Sequence, residues 1–419
     1  MKPTDLRGIL QYVPAFRDRV FVIALDGVIV ADENFSNLLL DVAVLRSLNI
    51  RVVLVHGAGS AIEVEAAKQG VTPSDLDGCG ITDDATLDVC VSAANRLAHE
   101  ILKGLAANDL RAVNSNCLTA SPLGIIKGVD HEHTGKVERV DAEFLSKLLS
   151  DNCVPVIPPL ATDGAGSTYR VNSDAVAVAV AKALKATKLI FATADDGIVC
   201  NGGIVRQASV EELKAMSADS GTSKTASAVE ACEAGVPRVH VINGLIDEGL
   251  LAEVFSNEGI GTLIYGNEYL AIRQAKKSDI RTLRRITRGA IENDELLRRT
   301  RAAMEENFGD YFIYEIDSNP IGCVALHEYP ADEAGELAFL YVSPSHENQG
   351  IGRKLMQFVE TQARERGLKR IIALSTQAFA FLRNKGGFSE GKEDIMPVVR
   401  MRLYQQSGRN SRVLYKDLT

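Results

Sequence analysis

VIALDGVIV, at residues 22–30, and RVVLVHGAGS, at residues 51–60, are the two stretches that decide the fold. Each is a β-branched, apolar run that ends at a glycine turn, a pattern typical of a buried parallel strand that carries a loop to the edge of a sheet. Loops of this kind often bind phosphate. In the first loop, however, Asp26 stands where a phosphate site needs glycine or a cation, and position 24 is alanine. The sequence therefore predicts the architecture of a nucleotide site with the wrong charge in it.

Strands and helices alternate over the first two thirds of the chain. We predict strands at residues 20–25, 51–55, 154–157, 188–193, 238–242 and 261–265, and helices at 34–48, 60–69, 84–105, 174–186 and 223–234. This alternation predicts an α/β domain with a mainly parallel sheet that is covered on both faces. The helix at 84–105 begins within ITDDATLD, residues 81–88, where Thr82 or Asp83 is expected as the N-cap.

The pattern changes after residue 264. We predict two helices at 278–291 and 294–306, strands at 311–316, 321–327 and 336–342, a glycine turn, a helix at 351–366 and a strand at 369–374. A chain of 419 residues is long for a single core. We therefore predict two domains, residues 1–268 and residues 269–419.

Composition limits the classes of function. The net charge of −9 argues against sequence-independent nucleic-acid binding, which needs a surplus of lysine and arginine. The start of the chain has no signal-peptide core, and no apolar run reaches membrane-spanning length. The seven cysteines form no CxxC pair, which favours free thiols in a reducing compartment. His131 and His133 lack a third ligand at useful spacing, so no metal site is expected. We expect a cytoplasmic protein that binds neither nucleic acid nor membrane.

The run LAFLYVSPSHENQGIGRKLMQFVETQARERG, at residues 337–367, joins a strand, a glycine turn and an amphipathic helix. Unpaired N–H groups at a helix start can hold a pyrophosphate even in an acidic protein. The order of parts resembles the acetyl-coenzyme A core of the GNAT acyltransferases. The resemblance implies cofactor contacts from Val342, Gln349, Gly350, Ile351, Gly352, Arg353 and Lys354. Glu347 departs from the family, which has Gln or Arg at that place, so the backbone amides must hold the cofactor.

The whole chain resembles the N-acetylglutamate synthase family. Four stretches carry the match: LQYVPAFRDRVFVI at 10–23, HGAG at 56–59, EVFSNEGIGT at 253–262 and SGRNSRVLY at 407–415. The resemblance implies an amino-acid-kinase-like, mainly parallel sheet sandwich followed by a GNAT α+β acetyltransferase domain. It also implies transfer of acetyl from acetyl-coenzyme A to the amine of L-glutamate, the first step of arginine biosynthesis.

The resemblance assigns roles to residues of the second domain. An amine attacks a thioester only as the free base, and the leaving thiolate gains from a proton donor. The resemblance implies Glu336 as the general base, directly or through a water, and Ser375 as the general acid. The residues alone would favour a solvated glutamate and a strand-capping serine. Two carboxylates of glutamate call for arginine forks, and Arg299, with Arg298 as its rival, and Arg409 with Ser411 match the substrate-binding positions.

The first domain is predicted to be catalytically inactive. Kinases of this fold end their first strand with K-x-G-G, whereas this chain reads ALDG at residues 24–27. A carboxylate about 4 Å from a phosphate charge costs on the order of 4 kcal/mol at an effective dielectric constant near 20. Asn172, Asp174 and Lys224 resemble kinase positions and are interpreted as remnants or structural contacts.

A regulatory role for the first domain follows from the resemblance. It implies an L-arginine site near Tyr12, Glu258, Gly259 and Gly261, in a homo-oligomer for which a hexamer is one arrangement. The sign of the arginine effect stays open. Glu248 departs from the related kinases, which commonly have histidine there.

Two other functions stay open from the sequence. One is an N-acetylglutamate kinase-like enzyme, against which Ala24 and Asp26 count. The other is an amino-acid sensor with an inert acetyltransferase half, which Glu347 slightly favours.

Overall fold

The computed structural model describes residues 12–200, 202–216, 223–255, 259–266, 271–316, 319–347, 350–407 and 411–418. The chain forms two compact units, residues 1–268 and 269–419. No helix in these described ranges combines the length and the apolar character needed to cross a bilayer.

Helices and strands alternate through the first unit. The helices are α1 (Val13–Phe16), α2 (Gly27–Val30), α3 (Phe35–Ser47), α4 (Gly59–Gln69), α5 (Asp84–Ala107), α6 (Ala142–Ser150), α7 (Ser173–Ala183), α8 (Val210–Met216), α9 (Ser223–Glu233) and α10 (Gly249–Phe255). The strands are β1 (Val20–Leu25), β2 (Arg51–His56), β3 (Ala112–Asn114), β4 (Leu118–Pro122), β5 (Ile125–Ile126), β6 (Val129–Asp130), β7 (Gly135–Val140), β8 (Val154–Ile157), β9 (Leu160–Thr162), β10 (Thr168–Arg170), β11 (Lys188–Thr193), β12 (Val199–Cys200), β13 (Gly203–Ile204), β14 (Gln207–Ser209), β15 (Arg238–Asn243) and β16 (Thr262–Tyr265).

The main sheet of this unit has the strand order β14-β16-β15-β11-β1-β2-β8-β3. All neighbouring pairs are parallel except β15 with β16. Val53 and Val55 of β2 pack into the core on one face, and Val52 and Leu54 pack into the core on the other. Both faces are therefore covered, which explains the continuous apolar runs of the central strands and confirms the predicted fold class.

The loops after β1 and β2 meet at one edge of this sheet. The Gly57 N–H donates to the carbonyl of Leu25 at 2.8 Å, and the Asp26 N–H donates to Ala192 at 3.0 Å. Parallel strands bring their carboxyl ends to the same edge, so the two quoted glycine turns lie side by side. At the start of α5, Asp83 rather than Thr82 is the N-cap, because its side chain accepts from the Thr86 N–H.

The second unit is built on one larger sheet. Its strands are β17 (Ala271–Gln274), β18 (Tyr311–Ile316), β19 (Asn319–Tyr329), β20 (Ala334–Val342), β21 (Arg370–Ser375), β22 (Ser389–Gly391) and β23 (Arg412–Asp417), in the order β17-β18-β19-β20-β21-β23-β22. Its helices are α11 (Ile280–Ile286), α12 (Arg288–Glu292), α13 (Arg301–Glu306), α14 (Ile351–Glu365), α15 (Phe379–Gly386) and α16 (Val398–Ser407). The pair β20 with β21 is parallel, whereas the other neighbours are antiparallel.

Two predicted helices of this unit are wrong in extent. The helix predicted at 294–306 covers only α13, because Thr300 caps its start by accepting from the Ala303 N–H and Asp294 has a left-handed φ of 61°. The helix predicted at 278–291 is split into α11 and α12 at Thr287.

Candidate active site

The glycine turn of the second unit lies at the start of α14. Gly350 is its N-cap with φ of 77°, and no side chain caps the helix. The first N–H groups of a helix have no carbonyl partner within it, so those of Ile351 to Arg353 are available to a ligand. The Ile351 side chain is buried in the core, whereas Arg353 is exposed. A pyrophosphate at this turn would therefore meet backbone amides and Arg353.

A gap opens between β20 and β21 next to this turn, and we call it the strand gap. Their pairing ends at Leu337 with Ala373, although β20 continues to Val342 and β21 to Ser375. Backbone groups beyond the last pair face the gap and can bond to amides of an extended ligand. An extended ligand held at the glycine turn would thus meet these backbone groups.

Glu336 lies on β20 directly before the strand gap and is 4% exposed. Its Oε2 accepts from Arg400 Nε at 2.7 Å and from the Tyr329 hydroxyl at 3.1 Å, and its Oε1 accepts from Arg400 Nη2 at 2.9 Å. Burial and the charge of Glu336 raise the pKa of Tyr329, which keeps its hydroxyl protonated as a donor. The predicted base is therefore a buried carboxylate that forms a bidentate ion pair with Arg400.

Ser375 ends β21 on the other side of the strand gap. Its Oγ accepts from the Ala378 N–H at 2.8 Å, so the hydroxyl proton is not used in that bond and can be donated. Glu336 is level with Ile372 in the pairing, and Ser375 lies three residues further along β21, about 10 Å of strand. The predicted base and acid thus flank the strand gap.

Arg299 lies in a polar and aromatic cluster, whereas Arg298 is exposed. Its Nη1 lies 3.1 Å from the Tyr311 hydroxyl and 2.6 Å from His327 Nε2. The guanidinium carbon also lies 5.8 Å from the Tyr311 ring centroid and 5.7 Å from that of Phe339. Within the described ranges, Arg299 makes side-chain hydrogen bonds and Arg298 makes none.

Three predicted site residues lie outside the described residues: Gln349, Arg409 and Glu258. Ser411 is described and half-buried, and its carbonyl accepts from the Tyr404 hydroxyl at 2.7 Å.

The kinase-like edge of the first unit holds a charge cluster. Lys224 Nζ donates to Asp26 at 2.7 Å and to Asp174 at 2.6 Å. Burial alone would lower the pKa of Lys224, but the two carboxylates outweigh it and raise its pKa. Asn172 caps α7 by accepting from the Ala175 N–H. The three kinase-like residues therefore make structural contacts, and Asp26 neutralises the lysine that a phosphate would need.

A second polar cluster of the same unit joins side chains of β11, β15 and α10. Lys188 Nζ lies 3.0 Å from His240 Nε2, and His240 Nδ1 lies 2.6 Å from Glu253 Oε1. Glu253 Oε2 accepts from the N–H groups of Ile260 at 2.7 Å and Gly261 at 3.0 Å. Burial alone would raise the pKa of Glu253, but His240 and these N–H groups lower it to about 2. The Glu253 carboxylate is therefore ionised at neutral pH.

Aromatic residues from α1 lie beside this cluster. Tyr12 stacks on Phe16 with 5.9 Å between ring centroids and tilts against Phe255 at 6.2 Å, and Lys188 Nζ lies 5.2 Å from the Phe16 ring centroid. Gly259 has φ of 61°, and a Cβ there would lie 2.7 Å from Glu253 Oε2. The buried carboxylate of Glu253 thus lies beside Gly259 and Gly261, two residues predicted for the arginine site.

Comparison with known proteins now identifies the family. Residues 19–243 match the amino acid kinase family, and residues 277–388 match the acetyltransferase (GNAT) family. An amino-acid acetyltransferase of Pseudomonas fluorescens (strain Pf0-1) is 34% identical over 427 residues, which cover 99% of this chain and 98% of that protein. The chain belongs to the amino-acid acetyltransferase family. The resemblance stated from the sequence and the N-acetyltransferase class are thereby confirmed.

Solved structures agree with this assignment. N-acetylglutamate synthase from Neisseria gonorrhoeae, complexed with coenzyme A and L-arginine, is 32% identical with a TM-score of 0.85, and 99% of each chain is covered. The same enzyme complexed with coenzyme A and N-acetyl-glutamate is 33% identical with a TM-score of 0.64, also with 99% of each chain covered.

Sequence reasoning missed several residues of this amino-acid acetyltransferase. Arg400 and Tyr329 hold Glu336, and His327 holds Arg299. His327 and Tyr329 are two residues apart at the end of β19, and this spacing was a signal that they share one face. Glu253 lies within the quoted stretch EVFSNEGIGT. The residue predicted there for the arginine site, Glu258, lies outside the described residues and stays a prediction.

Proposed function

We propose that this amino-acid acetyltransferase transfers acetyl from acetyl-coenzyme A to the α-amine of L-glutamate, in the cytoplasm. The observation that carries the proposal is one face of the second sheet, where the buried carboxylate of Glu336 lies beside two guanidinium groups. Arg400 is bonded to Glu336, and Arg299 is bonded to His327, the residue opposite Glu336 in the strand pairing. An amine that carries two carboxylates is complementary to this arrangement of charges.

The proposed chemistry divides between the two sides of the strand gap. The glycine turn holds the pyrophosphate, and the extended arm of the cofactor lies in the gap. Glu336 takes a proton from the substrate amine through a water, since its carboxylate is already bonded to Arg400 and Tyr329. The free amine attacks the thioester carbonyl, the carbon–sulfur bond breaks, and Ser375 donates a proton to the leaving thiolate. The proton that the acylated nitrogen then loses restores the serine hydroxyl. Arg299, with Arg409 and Ser411, binds the carboxylates.

The test is thiol release by the purified chain with acetyl-coenzyme A and each common amino acid. Glutamate should be the preferred acceptor, and Glu336→Gln should lower turnover by about a hundredfold, the usual effect of a lost general base. Arg299→Ala should raise the KM for glutamate more than that for acetyl-coenzyme A. Its exposed neighbour gives the matched control, Arg298→Ala, which should leave both unchanged. Thiol release without preference for glutamate would contradict the proposal.

We propose further that the first unit, residues 1–268, does not transfer phosphate and binds L-arginine as an effector in a homo-oligomer. The lysine that would contact phosphate is bonded to Asp26 and Asp174. The buried, ionised Glu253 holds the N–H groups of Ile260 and Gly261 and so fixes this loop beside the aromatic rings of α1. The carbonyl groups of such a turn suit a guanidinium, which has only donors. An effector of this kind acts through unequal affinity for two states.

Calorimetry with arginine tests the regulatory proposal. Arginine should bind the wild type, and Glu253→Gln should weaken binding by roughly tenfold or more, because the charged acceptor that holds the loop N–H groups of Ile260 and Gly261 is lost. The exposed Glu248→Gln is the matched control and should keep the wild-type affinity. No binding at millimolar arginine, or equal losses in both variants, would contradict an arginine site at Glu253.

A further inference from the structure

We infer that His327 and Asp310 are positioning residues for Arg299: together they hold one edge of its guanidinium so that the other edge faces a substrate carboxylate. This inference rests on the proposed function, because it names what orients the arginine of that same site. It assigns to a histidine and an aspartate of the second unit a role in selecting an acidic amino acid.

The three side chains form a row of hydrogen bonds. Asp310 Oδ2 lies 2.6 Å from His327 Nδ1, and His327 Nε2 lies 2.6 Å from Arg299 Nη1. A guanidinium has no acceptor, so Nε2 must accept from Arg299. An ionised carboxylate has no donor, so Nδ1 must carry the proton and donate to Asp310. The row therefore requires one tautomer of a neutral imidazole, and Asp310 selects that tautomer.

Aromatic residues complete the surroundings of the Arg299 guanidinium. Its Nη1 also donates to the Tyr311 hydroxyl, and its guanidinium lies near the rings of Tyr311 and Phe339. Phe339 has a left-handed φ of 56° at a β-bulge, where Phe339 and Leu340 lie opposite the single residue Val324. The bulge turns Phe339 towards Tyr311, with 5.5 Å between ring centroids. A strained residue at this place is consistent with a functional site.

The contacts leave one edge of the guanidinium available. Both protons of Arg299 Nη1 are engaged, whereas Nε and Nη2 make no hydrogen bond to any residue in the described part of the chain. A carboxylate binds best to two parallel N–H groups of a guanidinium, and the Nε–Nη2 edge provides such a pair. Because these contacts already hold the Arg299 side chain, it loses little conformational freedom when the substrate binds.

The row also sets where the carboxylate lies relative to the base. His327 pairs with Glu336 across β19 and β20, and Ala325 and Ala338, two residues away, pair in the same register. Residues opposite each other share a face, so Arg299 is held beside the carboxylate that would accept the amine proton. The side chain of the neighbouring Glu328 instead forms an ion pair with Arg366, the C-cap of α14. Glu328 thus serves as a control on the same strand.

The experiment compares two amides at position 327. The amide of His327→Gln reaches the place of Nε2 and can still accept from Arg299, whereas that of His327→Asn reaches only the place of Nδ1. With the full chain, Asn should raise the KM for glutamate about tenfold and leave the KM for acetyl-coenzyme A within about twofold. Gln should keep the glutamate KM within about threefold of the wild type, and Glu328→Gln should change neither KM.

The outcomes separate positioning from packing. Equal losses in the Gln and Asn variants, or parallel changes in both KM values, would overturn the inference. NMR of histidine labelled with ¹⁵N gives a readout that does not depend on turnover. It should show protonated Nδ1 and unprotonated Nε2 for His327, with an Nε2 shift that moves in Arg299→Ala. If the wild type does not acetylate glutamate, the proposed function fails and the NMR result decides the row by itself. A different tautomer, or no response to Arg299→Ala, would overturn it.

Discussion

Asp41 gives the sharpest prediction about stability, because it is a buried carboxylate that forms no ion pair with any residue the structure describes. It lies on α3 and is 5% exposed, and its Oδ2 accepts from the Leu251 N–H at the start of α10. Burial raises its pKa to about 6, helped by the charges of Glu248 and Asp247 and opposed by backbone hydrogen bonds from α10. The substitution Asp41→Asn keeps the acceptor and removes the charge.

The sign of the effect follows from the direction of the pKa change. The folded state raises the pKa of Asp41 from 3.8 to about 6, so the neutral form is favoured by folding. The stability that this provides is complete below the unfolded pKa and is lost as the pH rises through about 6. At about 1.4 kcal/mol for each tenfold change in protonation, the charged form costs about 3 kcal/mol near neutral pH. Asparagine never incurs that cost.

Chemical denaturation of the full chain at several pH values measures this. Near pH 7.5 the Asn variant should be more stable by about 3 kcal/mol, and the difference should fall towards zero by about pH 4. The exposed Asp88→Asn is the control and should stay within about 0.5 kcal/mol of the wild type. A variant that is no more stable near neutral pH, or a difference that does not depend on pH, would refute the reasoning.

Three further predictions concern the two sites. ATP-dependent phosphorylation of N-acetylglutamate should be undetectable, and Asp26→Gly with Ala24→Lys should be needed even to approach it; a radiolabelled phosphate assay that detects transfer by the wild type would contradict the inactive first unit. Ser375→Ala should lower kcat by about tenfold or more with little change in either KM, measured by thiol release; an unchanged kcat would remove it as the acid. Arg409→Ala should raise the KM for glutamate more than that for acetyl-coenzyme A; equal increases would point to misfolding.

Local pattern predicted the central strands and several helices closely, but it missed the short strands, among them β5, β6, β12 and β13. The strands predicted at 20–25 and 188–193 coincide with β1 and β11, because a buried parallel strand is a short apolar run bounded by turns. The helix predicted at 294–306 failed because its charged and apolar spacing continues through Thr300, whereas the side chain of Thr300 caps a later start. One side-chain hydrogen bond at a cap decided that boundary, and periodicity does not show it.

The candidate site was predictable only where its residues lie in a motif. The glycine turn and Glu336 follow strand signatures that the sequence displays. The partners of Glu336 do not, because Arg400 is 64 residues away and reaches it only when α16 packs beside the sheet. Likewise His240 meets Lys188 through the register of β11 with β15 and meets Glu253 from α10, a combination that no single stretch encodes.

The acidic residue in the first loop has a structural explanation that the sequence alone did not give. Lys224 is mostly buried, and a buried ammonium group is stable only with compensating charge. Removing one partner from a buried pair typically costs about 3–5 kcal/mol, although Asp174 would remain here to limit the loss. Asp26 thus occupies, as a fixed carboxylate, the neighbourhood in which a kinase would receive an anionic phosphate. The same carboxylate stabilises Lys224 and would repel phosphate. The proposed inactivity of the first unit therefore predicts that kinase activity needs a new cation at position 24 as well as the loss of Asp26.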